Sequence, residues 1–96
     1  MYKLKKSTRK KSKYQVQTPN GSTIHFGAVG YEDYTTHKDA ERKNRYIARH
    51  AKRENWTQQG LNTAGFWSRW LLWEEPDLTD AIRNIENKFN INIVRS

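Results

Sequence analysis

Two short runs of alternating apolar and polar residues flank a turn near the start of the chain. Tyr14 and Val16 alternate with polar neighbours, as do Ile24 and Phe26, and Pro19-Asn20-Gly21-Ser22 lies between the runs. A period of two on both sides of a Pro-Asn-Gly turn predicts a β-hairpin over 14–18 and 23–26. Those four apolar side chains would form its inward face. Gly27 and Gly30 mark an irregular connection that carries Tyr31 and Tyr34. The period then becomes helical. Residues 37–53 predict a helix capped by Thr35 or Thr36, with Asp39 and Glu41 in its first turns. Ala40, Asn44, Ile47 and Ala51 form the stripe expected to pack, while Arg42, Arg45, Arg49 and Lys52 or Arg53 form a second stripe facing solvent.

After a loop around Trp56 and Gly60, a dense aromatic stretch begins. Thr63 is positioned to cap a helix over 64–73. At 100° per residue its Phe66, Trp67, Trp70, Leu71 and Trp73 cover nearly half the circumference, with Leu72 pointing away beside Ser68 and Arg69. Apolar coverage this wide marks the central helix of a domain. Glu74-Glu75-Pro76 ends it, and Asp77, with Asp80 three positions on, caps a third helix. Leu78, Ile82, Ile85 and Phe89 give that helix one clean stripe, Asn90 closes it, and Ile91–Val94 reads as a short strand joining the hairpin. The expected fold is a small α+β domain over residues 14–96: a β-hairpin packed on about three helices, the central one aromatic.

Composition adds that this core has few alternatives. Only 34% of the 96 residues are apolar, and three of the four tryptophans fall in 64–73. Large rings can stand in for many aliphatic side chains, so their helical spacing assigns them to the core rather than to a stacking platform for bases.

Charge changes the picture more. The net charge of +8 is segregated. Residues 1–13 hold seven cations (Lys3, Lys5, Lys6, Arg9, Lys10, Lys11, Lys13) and no acid, and 37–53 hold seven more against two acids. With little to bury, residues 1–13 are expected to form a basic N-terminal arm, read as a solvated tail, a nuclear-import signal or a tether. Segregated cations imply an acidic partner: nucleic acid, an anionic membrane surface or an acidic protein face. An arm making seven phosphate contacts would lower log K against log salt with a slope of about −6. Arg42, Arg45 and Arg49 add planar, bidentate donors as a second contact line. Tyr31, Tyr34 and Trp56 are the candidates for apolar contact with a partner.

Other chemistries find little support. Cysteine is absent, which removes disulfides and thiolate metal sites. No apolar run is long enough to span a bilayer, and the basic start is followed by no apolar signal segment. A soluble protein of a reducing compartment is expected. His25, His37 and His50 lack the spacing of a zinc pair, and His50 stands one turn after Tyr46, where it would stack. His37-Lys38-Asp39 lacks the spacers of the phospholipase motif it resembles. The acids from Glu74 to Asp80 serve a helix end and the next cap. With no nucleophile, base and orienting group in view, no enzyme, cofactor or metal is expected.

Several strings occur together: His25-Phe-Gly-Ala28, Gly30-Tyr-Glu-Asp-Tyr34, His37-Lys-Asp39, Arg45-Tyr-Ile-Ala-Arg-His50 and Thr63-Ala-Gly-Phe-Trp-Ser-Arg-Trp-Leu-Leu-Trp73. Their combination, over residues 14–86, resembles a family of small basic proteins encoded by large double-stranded DNA viruses of eukaryotes, the giant and algal viruses. The resemblance carries no functional residue across. It implies a viral product, made in quantity and packaged, found in the virion and in the host cytoplasm or nucleus during infection. The leading expectation is therefore a minor capsid or inner-layer protein whose domain docks among other virion proteins while its cations clamp acidic surfaces. The alternative is a sequence-independent DNA-binding or genome-condensing protein. A regulator of host processes sent to the nucleus ranks third.

Overall fold

A computed structural model of the chain describes residues 1–96. It is an α+β fold with a four-stranded sheet in the order β3-β2-β1-β4. The strands are β1 (Tyr2–Lys6), β2 (Ser12–Gln17), β3 (Thr23–Ala28) and β4 (Ile93–Arg95). The helices are α1 (Tyr34–His37), α2 (Ala40–His50), α3 (Ala64–Trp67), which runs on into a π-helical segment Ser68–Leu72, and α4 (Leu78–Phe89). A single 3-10 turn, Gln58–Gly60, precedes α3.

The hairpin forms as its period demands. Val16 pairs with Ile24 and Tyr14 with Phe26. Val16 and Phe26 are buried, and Tyr14 and Ile24 pack against the same core. The turn closes through the Gly21 N–H on the Thr18 carbonyl (3.0 Å), with Gly21 at φ 91°, a conformation glycine adopts without steric cost.

The basic tract departs from expectation. Residues 1–13 are not an arm, because β1 is an interior strand, antiparallel to β2 and parallel to β4. Its backbone groups are satisfied on both sides, and Leu4, only 2% exposed, enters the core opposite Val16. Alternation explains how so charged a segment can do this. Tyr2 and Leu4 point inward while Lys3 and Lys5 point to solvent on the opposite face. The short C-terminal strand joins the sheet through β1, not through the hairpin.

The helical region also differs locally. The helix expected over 37–53 is broken at Lys38, which sits in the left-handed region at φ 56°. Asp33, not Thr35 or Thr36, caps α1 with a full capping box, and Asp39 caps α2 by accepting from the Glu41 and Arg42 N–H groups. Nor is the stripe of Ala40, Asn44, Ile47 and Ala51 the packing face. Tyr46 is the one buried side chain of α2, because a ring stacked flat on Trp73 (4.3 Å, 3°) buries more surface than small residues can.

The aromatic segment is central as expected, with its phase shifted. Thr63 caps α3 by accepting from the Phe66 N–H. Beyond Trp67 the backbone widens into π winding, which turns less per residue. Leu72 therefore swings into the core and is buried, instead of facing away with Ser68. Trp70 and Trp73 are only partly buried, while Phe66, Trp67 and Leu71 are fully enclosed. In α4, Asp77 accepts from the Thr79 and Asp80 N–H groups, the Ala81, Ile82, Ile85 and Phe89 face is buried, and Asn90 ends the helix at φ 54°. No helix is long and apolar enough to cross a membrane.

Candidate anion-binding surface

No acid occurs before Glu32, so β1, β2, β3 and their turns carry cations alone. The structure fixes those cations in place. On the outer face of the sheet Lys3 and Lys5 stand beside Gln17 and Gln15. The turn after β1 folds back over this face. The Thr8 N–H donates to Gln15 Oε1 (3.0 Å), and Ser7 Oγ lies 2.7 Å from His25 Nδ1. Ser7 Oγ also accepts the Arg9 N–H (3.0 Å), so its hydroxyl hydrogen is available to a neutral His25. Partial enclosure under the turn, and then the nearby Arg9 charge, hold the His25 pKa below the ordinary histidine value. The turn thus presents Arg9, Lys10 and Lys11 from a pinned backbone. Lys3, Lys5, Lys6, Arg9, Lys10 and Lys11 are all exposed and in no ion pair.

The same end of the sheet meets α2. The Val29 N–H donates to the Lys11 carbonyl (3.1 Å), tying the basic turn to the loop after β3. There a cavity of about 520 Å³ opens between that loop, α2 and the π segment, with Arg42, Arg45 and Arg49 along one wall and Lys13 on another. Gly27, at φ 79°, keeps the walls close: a Cβ would stand 2.9 Å from Leu72 and 3.2 Å from Lys13. Acids then decide which cations are free. Asp33 holds Lys13 (2.6 Å) and Glu32 holds Arg42 (3.2 Å), whereas Arg45 and Arg49 are exposed and in no ion pair.

Beneath the arginines runs a column of rings. His50 stacks on Tyr46 (4.4 Å), Tyr46 on Trp73 (4.3 Å), and His37 leans on Trp73 (5.3 Å). Burial pushes the Tyr46 phenol's pKa upward, opposed in part by its hydrogen bond to Ser68. On the far side Arg69 lies over Trp70 (4.4 Å) and beside Trp56 (5.3 Å), and donates to Glu74 (2.8 Å). Lys43 reaches the same carboxylate (3.5 Å), which anchors α2. Burial disfavours the Glu74 charge, yet Arg69 and Lys43 outweigh it and leave its pKa below the ordinary glutamate value.

Of the residues expected at the surface, then, the cations of 1–13 stay exposed except Lys13, and Arg45 and Arg49 stay free while Arg42 is paired. Two aromatic candidates are claimed internally. Trp56 is half-buried, its Nε1 donating to Glu54 and its carbonyl accepting from Trp70. Tyr34 is half-buried under Lys43 (5.2 Å). Tyr31, 75% exposed, remains at the cavity rim. The contributions of Glu32, Asp33, Tyr46, Ser68 and Trp73 escape pattern reading. The only sequence signal for the cavity is that Glu32-Asp33 ends the acid-free run that opens the chain.

Fold and surface together define a small α+β protein that displays unpaired cations on a rigid sheet end and the adjoining helix. The chain belongs to the family of unknown function DUF5754, whose model matches residues 2–50, from the first residue of β1 to the last of α2. No curated protein and no solved structure matches the chain.

Proposed function

We propose that this protein binds nucleic acid through its phosphates, without reading sequence, and catalyses nothing. The observation that carries the reading is that the unpaired cations sit on adjoining elements. They run from Lys3 and Lys5 on the sheet, through Arg9, Lys10 and Lys11 on the pinned turn, to Arg45 and Arg49 beside it. A run of unpaired cations in which Tyr31 is the one largely exposed aromatic ring suits phosphate contact, which fixes position but carries no base information.

Docking among virion proteins, the leading expectation from sequence, calls for an apolar centre to the interface. The exposed large apolar side chains are Met1, Val94, Val29 and Tyr31. Val94 lies on the β4 edge, while Val29 and Tyr31 follow β3 at the opposite edge. That scatter favours the polyanion reading. In the viral setting that the resemblance implies, the polyanion would be the genome.

The test is fluorescence anisotropy on two unrelated duplexes between about 50 and 200 mM salt. A footprint of six to eight phosphates gives a log K against log salt slope of about −5 to −7. Lys10→Gln with Lys11→Gln should reduce that slope by about 2 for both duplexes alike. Affinity that ignores salt, or differs sharply between the duplexes, would overturn the proposal. Deleting residues 1–13 is not a usable control, because it removes β1 from the sheet.

A further inference from the structure

We infer that the cavity beside α2 binds a nucleoside phosphate bearing a phosphomonoester, the group that ends a nucleic-acid strand. This deepens, and rests on, the phosphate-binding reading above. Its volume of about 520 Å³ lies within the range of about 300–1,000 Å³ typical of small-molecule sites.

Charge identifies the ligand class. Four cations (Lys13, Arg42, Arg45, Arg49) face two carboxylates (Glu32, Asp33) around the cavity, an excess of two positive charges. A phosphomonoester carries about −1.5 to −2 at neutral pH, whereas an internal phosphodiester carries one. The excess is also localised. Asp33 and Glu32 occupy Lys13 and Arg42, leaving Arg45 and Arg49. These are four residues apart on α2, so they rise from one face with their Cβ atoms about 5–6 Å apart. Two planar guanidinium forks at that spacing can close on the oxygens of one phosphate.

The remaining walls suit a nucleoside. Tyr31 offers an open ring face at the rim for a base, and Glu32 stands beside it as an acceptor for amino or hydroxyl groups. The Tyr46–Trp73 stack gives the site a flat, stiff wall. The neighbouring basic turn, joined through the Val29–Lys11 hydrogen bond, would hold the strand whose end enters.

The test uses the full chain and three measurements. Adenosine 5′-monophosphate is titrated against tryptophan fluorescence, with adenosine as the control, since Trp73 lines the cavity. Single strands with 5′-phosphate and with 5′-hydroxyl ends are then compared, alongside duplex binding. We expect the monophosphate to bind and adenosine not to, with a preference of about tenfold for the phosphorylated strand, the scale of one charged hydrogen bond. Arg45→Gln with Arg49→Gln should erase that preference. Both side chains are exposed, so the fold should survive, and an unchanged melt checks it. Lys10→Gln with Lys11→Gln should weaken all strands while keeping the preference. Equal responses to the monophosphate and adenosine, or a preference that survives loss of both arginines, overturn the inference.

The two readings fail separately. Salt-dependent duplex binding without any phosphomonoester preference sinks the cavity alone. Monophosphate binding without duplex binding sinks the surface reading and leaves the cavity as a site for a free nucleotide.

Discussion

Residues 1–50 carry most of the unpaired charge, while residues 51–96 carry most of the buried surface. Phe66, Trp67, Leu71, Leu72 and Ile85 are fully enclosed, whereas in the first half only Val16 among the large side chains is. The family match ends at His50 and so takes in the charged half. Yet neither half is self-sufficient. β4, from the second, pairs with β1, from the first, and Leu4 completes a core made mostly by the aromatic segment. The cations sit on a fixed support only because a few inward residues borrow apolar surface from the other end of the chain. A support of this kind holds charges at fixed spacing, which a free arm cannot do.

The aromatic half is the more fragile of the two. Trp67→Ala should cost about 3–5 kcal/mol, since the indole is fully enclosed and donates to the Leu61 carbonyl (2.9 Å). A domain of this size has little more in reserve, so the expected result is loss of a cooperative thermal melt. The partly buried Trp70 should be less sensitive under the same substitution. Leu4→Ala comes next, at about 2–4 kcal/mol. A residue in a free arm would give no change in melting, so this variant directly tests whether the basic tract is structural.

Tyr46→Ala should act more locally. It removes the ring on which α2 rests, at a cost of about 2 kcal/mol for the lost burial and stacking. Amide exchange should rise across α2 while β1 and α4 stay protected. If all three lose protection together, α2 is part of the cooperative core.

Acid should then strain both halves in turn. His25 titrates below the ordinary histidine value when folded. As pH falls through that ordinary value the unfolded chain takes the proton first, so stability starts to decline there and falls until the folded group titrates too. Glu74 behaves the same way at lower pH, since its folded pKa is also depressed: its contribution is intact above the ordinary glutamate value and is lost as pH falls through the folded one. Melts from neutral to acid should show two steps, the first flattened by His25→Gln and the second by Glu74→Gln. The smallest effect concerns the break between α1 and α2. Lys38→Gly should stabilise by about 0.5–1 kcal/mol, because glycine adopts the left-handed conformation without the Cβ penalty. The loss of the Lys38 contact with the Pro76 carbonyl sets the upper limit of that gain.

What the sequence determined by itself is what short-range physics decides. The β2–β3 register follows from period two around a Pro-Asn-Gly turn. The bounds of α4 follow from Asp77 at one end and Asn90 at the other, and the start of α3 from Thr63. Each depends on residues a few positions apart, and so does the arginine stripe of α2. Tertiary structure alone decided the rest. β1 looked like a tail because Tyr2 and Leu4 are its only apolar residues, and what orders it beyond its pairing with β2 is the core that receives Leu4 and the strand Ile93–Arg95, about ninety residues away, which no local period reveals. The packing face of α2 went to Tyr46 because Trp73 was there to receive it, and Leu72 turned inward because the backbone widened to fill the core. Which cations are free depended on carboxylates that meet Lys13 and Arg42 only after folding. Local preferences act through a turn or two of chain, whereas burial and ion pairing act through space, and the candidate site is built almost entirely from the second kind.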